Sequence, residues 1–137
     1  MARAKKKSKA PAIGSIGWHD LTVKAAPKVR DFYAKVVGWK TGAIDMGGYE
    51  DFTMHEPASG ECVAGVCHAR GANSDLPPQW MMYVIVADVA RAARIAVKHG
   101  GKVVVKPRAV MGGRFCVVRD PAGAVCGLYQ APKPAKS

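Results

Sequence analysis

The sequence predicts an α+β fold built from two tandem modules, each with the order strand, helix and three strands (βαβββ). Three observations support this prediction. The same landmarks recur in both halves of the chain, strand-like and helix-like patterns alternate in the same order in each half, and a linker-like segment joins the halves. The chain has 137 residues, a length at which one domain is the usual outcome.

Four landmarks recur in the same order at a separation of about 60 residues, which indicates an internal repeat. Trp18, Gly38-Trp39-Lys40, Met46-Gly47-Gly48 and Glu56-Pro57-Ala58-Ser59-Gly60 are matched by Trp80, Gly100-Gly101-Lys102, Met111-Gly112-Gly113 and Asp120-Pro121-Ala122-Gly123. Segment 71–79 lies between the two copies and has the Gly, Pro and Asp content of a linker. We therefore expect module 1 at residues 15–70 and module 2 at residues 79–130.

The first module is predicted to begin with a strand over 16–23, where apolar and polar residues alternate. A helix follows, since Pro27 suits a first turn and Gly38 suits a helix end. Residues at helical spacing form its predicted packing stripe: Val29, Phe32, Tyr33, Val36 and Val37. Three strands are then predicted at 39–45, 49–56 and 61–68, with Gly47-Gly48 in a tight turn.

The second module repeats this pattern. A strand is predicted at 80–87, Asp88 is a suitable N-cap for the helix, and Gly100 is a suitable stop. The predicted packing stripe of the helix is Val89, Ala92, Ala93 and Ala96. Three further strands are predicted at 102–107, 114–120 and 124–130.

Basic residues are concentrated at both ends of the chain. A large part of the net charge of +11 comes from Arg3, Lys5, Lys6, Lys7, Lys9, Lys133 and Lys136. We expect residues 1–14 and 131–137 to be disordered, solubilising tails. A lysine run can also bind nucleic acid by releasing counterions, so nucleic-acid association through the tail is an alternative. The sequence contains no helix-turn-helix, zinc-finger or RNA-binding strand motif.

No apolar run approaches the roughly 20 residues that span a bilayer, and no signal-peptide apolar region follows the basic start. We therefore expect a cytoplasmic protein with no membrane partner. Its four cysteines, Cys62, Cys67, Cys116 and Cys126, are then expected to be reduced packing residues, since no zinc-like or C-x-x-C spacing is present.

The duplicated βαβββ order and two local motifs resemble the vicinal-oxygen-chelate superfamily, the group of glyoxalases, bleomycin-resistance proteins and extradiol dioxygenases. Phe32-Tyr33 with Val37-Gly38-Trp39 is similar to a helix end of glyoxalase-like members. Asp120-Pro121-Ala122-Gly123 is similar to their turn before the last strand. The resemblance covers residues 15–130. It implies curved mixed sheets around a cleft, helices on the outer face, a ligand in the cleft and a homodimer.

Metal-dependent members of that family place His, Glu or Gln ligands on the first and last strands of each module. By spacing, these positions correspond here to Trp18, Ala64, Trp80 and Gly127. A shift of one residue would give His19, Gly65, Met81 and Leu128 instead. Neither set supplies the three or four donors that a divalent ion needs, so we expect no metal or other cofactor.

Strand parity places Trp18, Asp20 and Thr22 toward the expected cleft and His19 toward the helix. The same argument places Trp80 and Met82 in the cleft, so that two indole rings favour a flat or apolar organic ligand. Other candidates for ligand binding are Tyr49, His68, Arg70 and Tyr129. Asp20 is the best candidate for catalysis, as a general base or ligand anchor, although a structural hydrogen bond is the alternative.

These observations favour a metal-free protein that binds a small organic ligand between its modules. A metal-dependent lyase, isomerase or dioxygenase of the same superfamily is an alternative, because a fold does not determine a function. A nucleic-acid-associated protein is a second alternative. Whether the chain is an enzyme stays open at this point.

Overall fold

The computed structural model describes residues 11–133, so the predicted tails at 1–10 and 134–137 lie outside the described residues. Within 11–133 the elements follow the predicted order. The strands are β1 (Ile16–Val23), β2 (Lys40–Asp45), β3 (Glu50–His55), β4 (Cys62–His68), β5 (Trp80–Ile85), β6 (Lys102–Val110), β7 (Gly113–Arg119) and β8 (Val125–Gln130). The helices are α1 (Ala26–Val37) and α2 (Val89–Lys98). Of the predicted first tail, residues 12–14 lead into the sheet, and the Gly14 amide donates to the Ile85 carbonyl.

The helix ends follow the chemistry expected from the sequence. Gly38 ends α1 in the left-handed region at φ 85°, which a residue without a β-carbon adopts at no steric cost. Asp88 caps α2 by accepting a hydrogen bond from the Arg91 amide. The predicted end of β6 is Pro107, but the strand continues to Val110. Proline has no N–H to donate to the neighbouring strand, and the pairing of β6 with β7 shifts register around Pro107, so no hydrogen bond from Pro107 is needed there.

All the strands join in one mixed sheet with the order β2-β3-β4-β1-β5-β8-β7-β6. Each module contributes four neighbouring strands, and the modules meet where β1 pairs antiparallel with β5. The last strand of each module runs parallel to the first, β4 beside β1 and β8 beside β5. His19 lies opposite Met82 in the central ladder, so an approximate twofold axis relating the modules passes between these two residues.

Both helices cover the same face of the sheet, which we call the helix face. Helix α1 packs there on Phe52, Met54, Ala64 and Val66, and α2 packs on Cys116 and Val118. Trp80 on β5 hydrogen-bonds to Tyr33 of α1. On the neighbouring strand β8, Leu128 packs with α2, and Leu128 lies beside Val84 of β5. Because Trp80 and Val84 share a face by strand parity, the two helices do as well.

The predicted stripe of α1 is only partly correct. Val29 and Tyr33 pack on the core of module 1, whereas Phe32, Val36 and Val37 are exposed. The helix therefore contacts the sheet along a narrow line through Ala26, Val29 and Tyr33, and its remaining apolar residues face outward. The stripe of α2 is confirmed at Val89 and Ala93, which are buried.

The opposite side of the sheet, which we call the open face, carries the second large apolar cluster. Met81, Val105, Phe115, Val117 and Val125 form it together with Leu76 from the segment between the modules. Leu76 is buried, so the linker folds over the module 2 half of this face. None of the helices described here is long and apolar enough to cross a membrane.

Candidate functional site

The centre of the open face is the best candidate site, because two adjacent strands direct polar and aromatic side chains there. In the β1–β5 ladder, Trp18 lies opposite Tyr83 and Asp20 lies opposite Met81. Directly opposed residues of an antiparallel pair share a face, so these side chains are neighbours on the open face. Thr22 follows on the same side and lies beside Cys67 of β4.

Asp20 is the central polar residue of this site. Its Oδ1 atom is buried and has no hydrogen-bond partner among the described residues. Burial raises the pKa of Asp20 to about 7; hydrogen bonding from Tyr83 and Trp18 opposes this rise and the charge of Asp51 adds to it. The carboxyl group is therefore part protonated near neutral pH, and its free oxygen can accept from or donate to a bound molecule.

Glycines create the space in which the two large rings lie. A β-carbon at Gly65 would stand 3.4 Å from Trp18 Cζ2 and 3.4 Å from Asp20 Cβ. A β-carbon at Gly127 would overlap the Tyr83 ring. In each module, a glycine of the last strand thus leaves space for a side chain of the first strand. Gly65 lies next to Asp20 and Gly127 lies next to Tyr83 in the two parallel ladders.

The tyrosine and cysteine of this site are neutral groups. Burial, followed by the charge of Asp20, raises the pKa of the Tyr83 hydroxyl well above its ordinary value, so Tyr83 acts as a hydrogen-bond donor. Burial, followed by the charges of Asp20 and Asp51, likewise raises the pKa of Cys67. A thiol held neutral is a poor nucleophile, so Cys67 is not an activated cysteine.

A second polar group lies at the end of β4. Buried Asp51 accepts hydrogen bonds from the His68 amide at 2.8 Å and from His68 Nδ1 at 3.2 Å. The Tyr49 ring meets the His68 ring edge-on at 5.5 Å between centroids, and the Arg70 guanidinium lies 3.9 Å from the Tyr49 centroid. Three predicted site residues, Tyr49, His68 and Arg70, are thus assembled into one contiguous row.

Trp80 and Met82 do not lie where the sequence argument placed them. Trp80 Nε1 donates to the Tyr33 hydroxyl at 2.9 Å, and its ring packs edge-on against Tyr33 and Trp39 on the helix face. Met82 lies opposite His19 and therefore shares that face. The predicted cleft with two indole rings is wrong: Trp18 is on the open face and Trp80 is on the other side of the sheet.

The register error has a simple origin. The repeat pairs Trp18 with Trp80, yet one more residue separates Trp80 from α2 than separates Trp18 from α1. Aligning the helix starts instead makes Asp20 equivalent to Tyr83. A slip of one residue moves every side chain to the other face. Tyr83 is therefore absent from the residues predicted for the site, although its spacing to α2 matches that of Asp20 to α1.

Tyr129 lies on the open face, as predicted, and packs on the apolar cluster of module 2 together with Tyr83. Asp51 was not singled out from the sequence. It lies in a strand between Glu50 and Phe52, and nothing local distinguishes it from a solvent-exposed acid. Only the pairing of β3 with β4 brings it to His68.

The donor set does not fit a divalent metal. Of the positions that the family resemblance assigns to ligands, Trp18 and Gly127 lie on the open face, whereas Ala64 and Trp80 lie on the helix face. Across residues 11–133, no group of three or more His, Cys, Asp and Glu side chains is arranged to hold a metal ion. Asp20 supplies one carboxylate at the centre, and its neighbours Trp18 and Gly65 supply no side-chain ligand.

The chain is similar to proteins of one superfamily by sequence. A family model described as "Glyoxalase/Bleomycin resistance protein/Dioxygenase superfamily" matches residues 15–126. Proteins of Mycobacterium bovis and Mycobacterium tuberculosis, each named "Putative glyoxylase CFP32", are 31% identical over 121 residues. The alignment covers 86% of this chain and 46% of each relative, so the chain spans about half the length of the relatives it matches.

Solved structures show the same fold at low sequence identity. Methylmalonyl-CoA epimerase from Mycobacterium tuberculosis matches with a TM-score of 0.56 and 14% identity over 93% of this chain and 94% of that one. A Streptomyces coelicolor methylmalonyl-CoA epimerase variant in complex with 2-nitronate-propionyl-CoA matches with a TM-score of 0.52 and 16% identity, over 89% of this chain and all of that one. These similarities concern the fold alone.

Proposed function

Since the chain belongs to the Glyoxalase/Bleomycin resistance protein/Dioxygenase superfamily, we propose that it binds a small organic ligand on the open face without a metal ion. The observation that carries this proposal is the buried Oδ1 of Asp20, which has no hydrogen-bond partner among the described residues. A buried polar atom without a partner costs free energy, which a ligand hydrogen bond would recover.

The surroundings of Asp20 define the ligand. Trp18 and Tyr83 lie opposite each other in the ladder, next to Asp20, and offer ring surfaces there, so a flat or apolar body is favoured. Asp20 when protonated, and Tyr83, both donate hydrogen bonds. The ligand therefore carries a neutral acceptor, such as a carbonyl or amide oxygen, because an anionic group would meet the carboxylate form unfavourably.

The test is a binding titration of one-ring and two-ring aromatic amides at pH 6 and pH 8, followed by NMR of the tryptophan indole N–H signals. We expect the Trp18 signal to shift and the affinity to fall as the pH rises through about 7, where Asp20 loses its proton. Asp20→Asn, which keeps a donor but cannot titrate, should bind with little pH dependence. Asp20→Leu should lose about tenfold or more in affinity.

Two results would count against the proposal. One is the absence of any binding to the wild type across the panel. The other is binding that Asp20→Leu leaves unchanged, because the free carboxyl oxygen would then have no part in recognition.

Metal independence needs a separate measurement. Protein purified without chelators and then soaked in Zn²⁺, Ni²⁺, Fe²⁺ or Mn²⁺ is expected to retain far less than one metal ion per chain by mass spectrometry. The reason is that the open face lacks the three or four donors that these ions require. Retention near one ion per chain would favour a metal-dependent lyase, isomerase or dioxygenase instead.

An enzyme remains a second candidate, for one specific reason. A carboxyl group with a pKa of about 7 is well suited to proton transfer at neutral pH. In that case Asp20 acts as a general base that removes a proton from a bound carbon or oxygen acid, with Tyr83 donating to the developing oxyanion. Turnover of a bound ligand that Asp20→Asn abolishes, with binding retained, would distinguish enzyme from binding protein.

A further inference from the structure

A second aromatic site lies on the helix face, separate from the open face. It is a groove of about 350 Å³ lined by His19, Trp39, Val63, Ala64 and Trp80. This volume is in the range of small-molecule pockets, roughly 300–1,000 Å³. We call it the tryptophan groove. Its lining comes from β1, β4, β5 and the connection between α1 and β2, so it forms only in the folded sheet.

The walls of the tryptophan groove are held in fixed orientations. The Trp39 and Trp80 rings meet at an interplanar angle of 73° with centroids 5.9 Å apart, and form two sides of a corner. Trp80 is anchored by the bond from Nε1 to the Tyr33 hydroxyl at 2.9 Å. Even so, Trp80 keeps 36% of its surface exposed. A rigid, partly exposed aromatic corner is a preorganised surface for another ring.

The polar groups at the groove are hydrogen-bond donors. The Tyr33 hydroxyl accepts from Trp80, which leaves its own proton free to donate. His19 is exposed and is the only titratable residue that lines the groove. No acidic side chain lines it. The absence of acids from this lining and the presence of the donors favour an anionic, acceptor-rich partner.

We propose that the tryptophan groove binds a planar aromatic carboxylate of one or two fused rings. The ring stacks in the corner between Trp39 and Trp80, over the small floor of Ala64. The carboxylate accepts from His19 and the Tyr33 hydroxyl. This ligand differs from the neutral acceptor proposed for the open face, so the two sites can be tested apart.

The probe is 2-naphthoate, with naphthalene and cyclohexanecarboxylate as partial probes that lack the charge or the flat ring. Binding is measured by calorimetry at low salt and mapped by the indole N–H signals. We expect 2-naphthoate to shift the Trp39 and Trp80 signals and to bind at least about tenfold more tightly than either partial probe.

Two matched variants locate the site. Trp80→Ala removes one wall and should weaken 2-naphthoate binding about tenfold or more, whereas Trp18→Ala changes the open face and should leave it unchanged. Tyr33→Phe keeps the ring but removes the hydroxyl, and should weaken binding less than Trp80→Ala. Trp80 is partly exposed, and Tyr33→Phe removes only a hydroxyl group. We therefore expect Trp80→Ala and Tyr33→Phe to fold and to unfold cooperatively, and thermal denaturation checks this.

Three outcomes would overturn the proposal. The first is no binding of 2-naphthoate at millimolar concentration. The second is binding that Trp18→Ala abolishes and Trp80→Ala preserves, which would assign the probe to the open face. The third is a wild-type dimer, seen by sedimentation, that Trp80→Ala dissociates, because a second copy of the chain would then occupy the groove.

Discussion

Single residues on the open face are arranged so that a carboxyl group is surrounded by neutral donors. Tyr83 and Trp18 lie beside Asp20 and lower its pKa as hydrogen-bonding groups, but neither can supply a positive charge. The charge of Asp51 disfavours the ionisation of Asp20 further. The stability of the protein should therefore depend on pH in the direction opposite to that of a salt-bridged acid.

The first prediction concerns this pH dependence. The folded pKa of Asp20 is about 7 and the ordinary value is 3.8, so the folded state holds a proton that the unfolded state has lost between these pH values. The contribution of Asp20 to the free energy of unfolding should fall by about 2–4 kcal/mol as the pH rises from 4 to 7. Urea unfolding of Asp20→Asn should lack this fall.

Asp88→Asn is the matched control, because the Arg91 amide holds the pKa of exposed Asp88 below its usual range. The Asp88 carboxylate should contribute stability at neutral pH, and this contribution should be lost as the pH falls through its lowered pKa. The pH dependence thus has the opposite sign to that of Asp20 and lies at lower pH. If wild type and Asp20→Asn show parallel pH profiles, the carboxyl group is solvated in the folded protein and the assignment is wrong.

The second prediction concerns the glycine floor. Gly127→Ala should destabilise the protein by about 1–3 kcal/mol, because the new methyl group displaces the Tyr83 ring. Gly65→Ala should cost clearly less, since its methyl group meets Trp18 and Asp20 at 3.4 Å. Guanidinium unfolding of the two variants compares them directly. Equal losses would show that Tyr83 does not lie over Gly127.

At this scale the sequence predicted the position of Asp20 on the open face, because a carboxylate in an apolar strand is conspicuous; its role in binding or catalysis stays a prediction. It did not predict Asp51, whose role depends on the pairing of β3 with β4. It could not distinguish Trp80 from Trp18, since both are tryptophans at the start of a strand. Side-chain partners such as Tyr33 for Trp80 are set by contacts between distant parts of the chain.

Among the elements, the start of helix α2 is capped partly by a side chain of β8, the last strand. The amide of fully buried Val89, in the first turn, donates to Oε1 of Gln130 at 2.9 Å. Asp88 satisfies the Arg91 amide. The start of the helix is thereby fixed by one local residue and one residue from the last strand.

The third prediction tests this contact. Gln130→Met should cost about 1–3 kcal/mol of stability, because the buried Val89 amide loses its acceptor. Gln130→Glu keeps an acceptor near the helix N-terminus and should cost much less. Hydrogen exchange at the Val89 amide, together with urea unfolding, measures both. Faster exchange in Gln130→Glu than in Gln130→Met would contradict the assignment.

The order of elements and most of their ends were predictable, because Gly38 and Asp88 mark helix ends by local chemistry. The predicted facing of β5 was wrong, since the side-chain parity of the strand depends on one residue more or less in the connection to α2. The exposed side of α1 was also missed. Helical spacing placed Phe32 and Val36 in one apolar stripe, but it could not tell which residues of that stripe the sheet would cover.

For the whole molecule, the segment between the modules does more than connect them. Leu76 is buried in the apolar cluster on the open face, against Met81 and Phe115. The linker composition predicted a connection, and a linker is normally exposed. Its packing onto the sheet was not predictable, because it requires the apolar cluster that the strands of module 2 form only when they are paired in the folded sheet.

The fourth prediction is that Leu76→Ala destabilises the protein by about 2–4 kcal/mol, through the cavity left on the open face. Ile13→Ala is the control: Ile13 is 70% exposed and precedes β1, so its loss should change stability by at most about 0.5 kcal/mol. Thermal unfolding of both variants measures the difference. A loss from Leu76→Ala no larger than that of the control would place the linker off the sheet.

The twofold axis between His19 and Met82 has a consequence for stereochemistry. In an undiverged duplication, the two positions beside the axis would hold the same residue, and a bound molecule could enter in either of two orientations of equal energy. Here those positions hold an acid, Asp20, and a phenol, Tyr83. For the ligand that we propose, the two orientations would therefore differ in energy, so that its two ends, or its two mirror-image forms, would be distinguished.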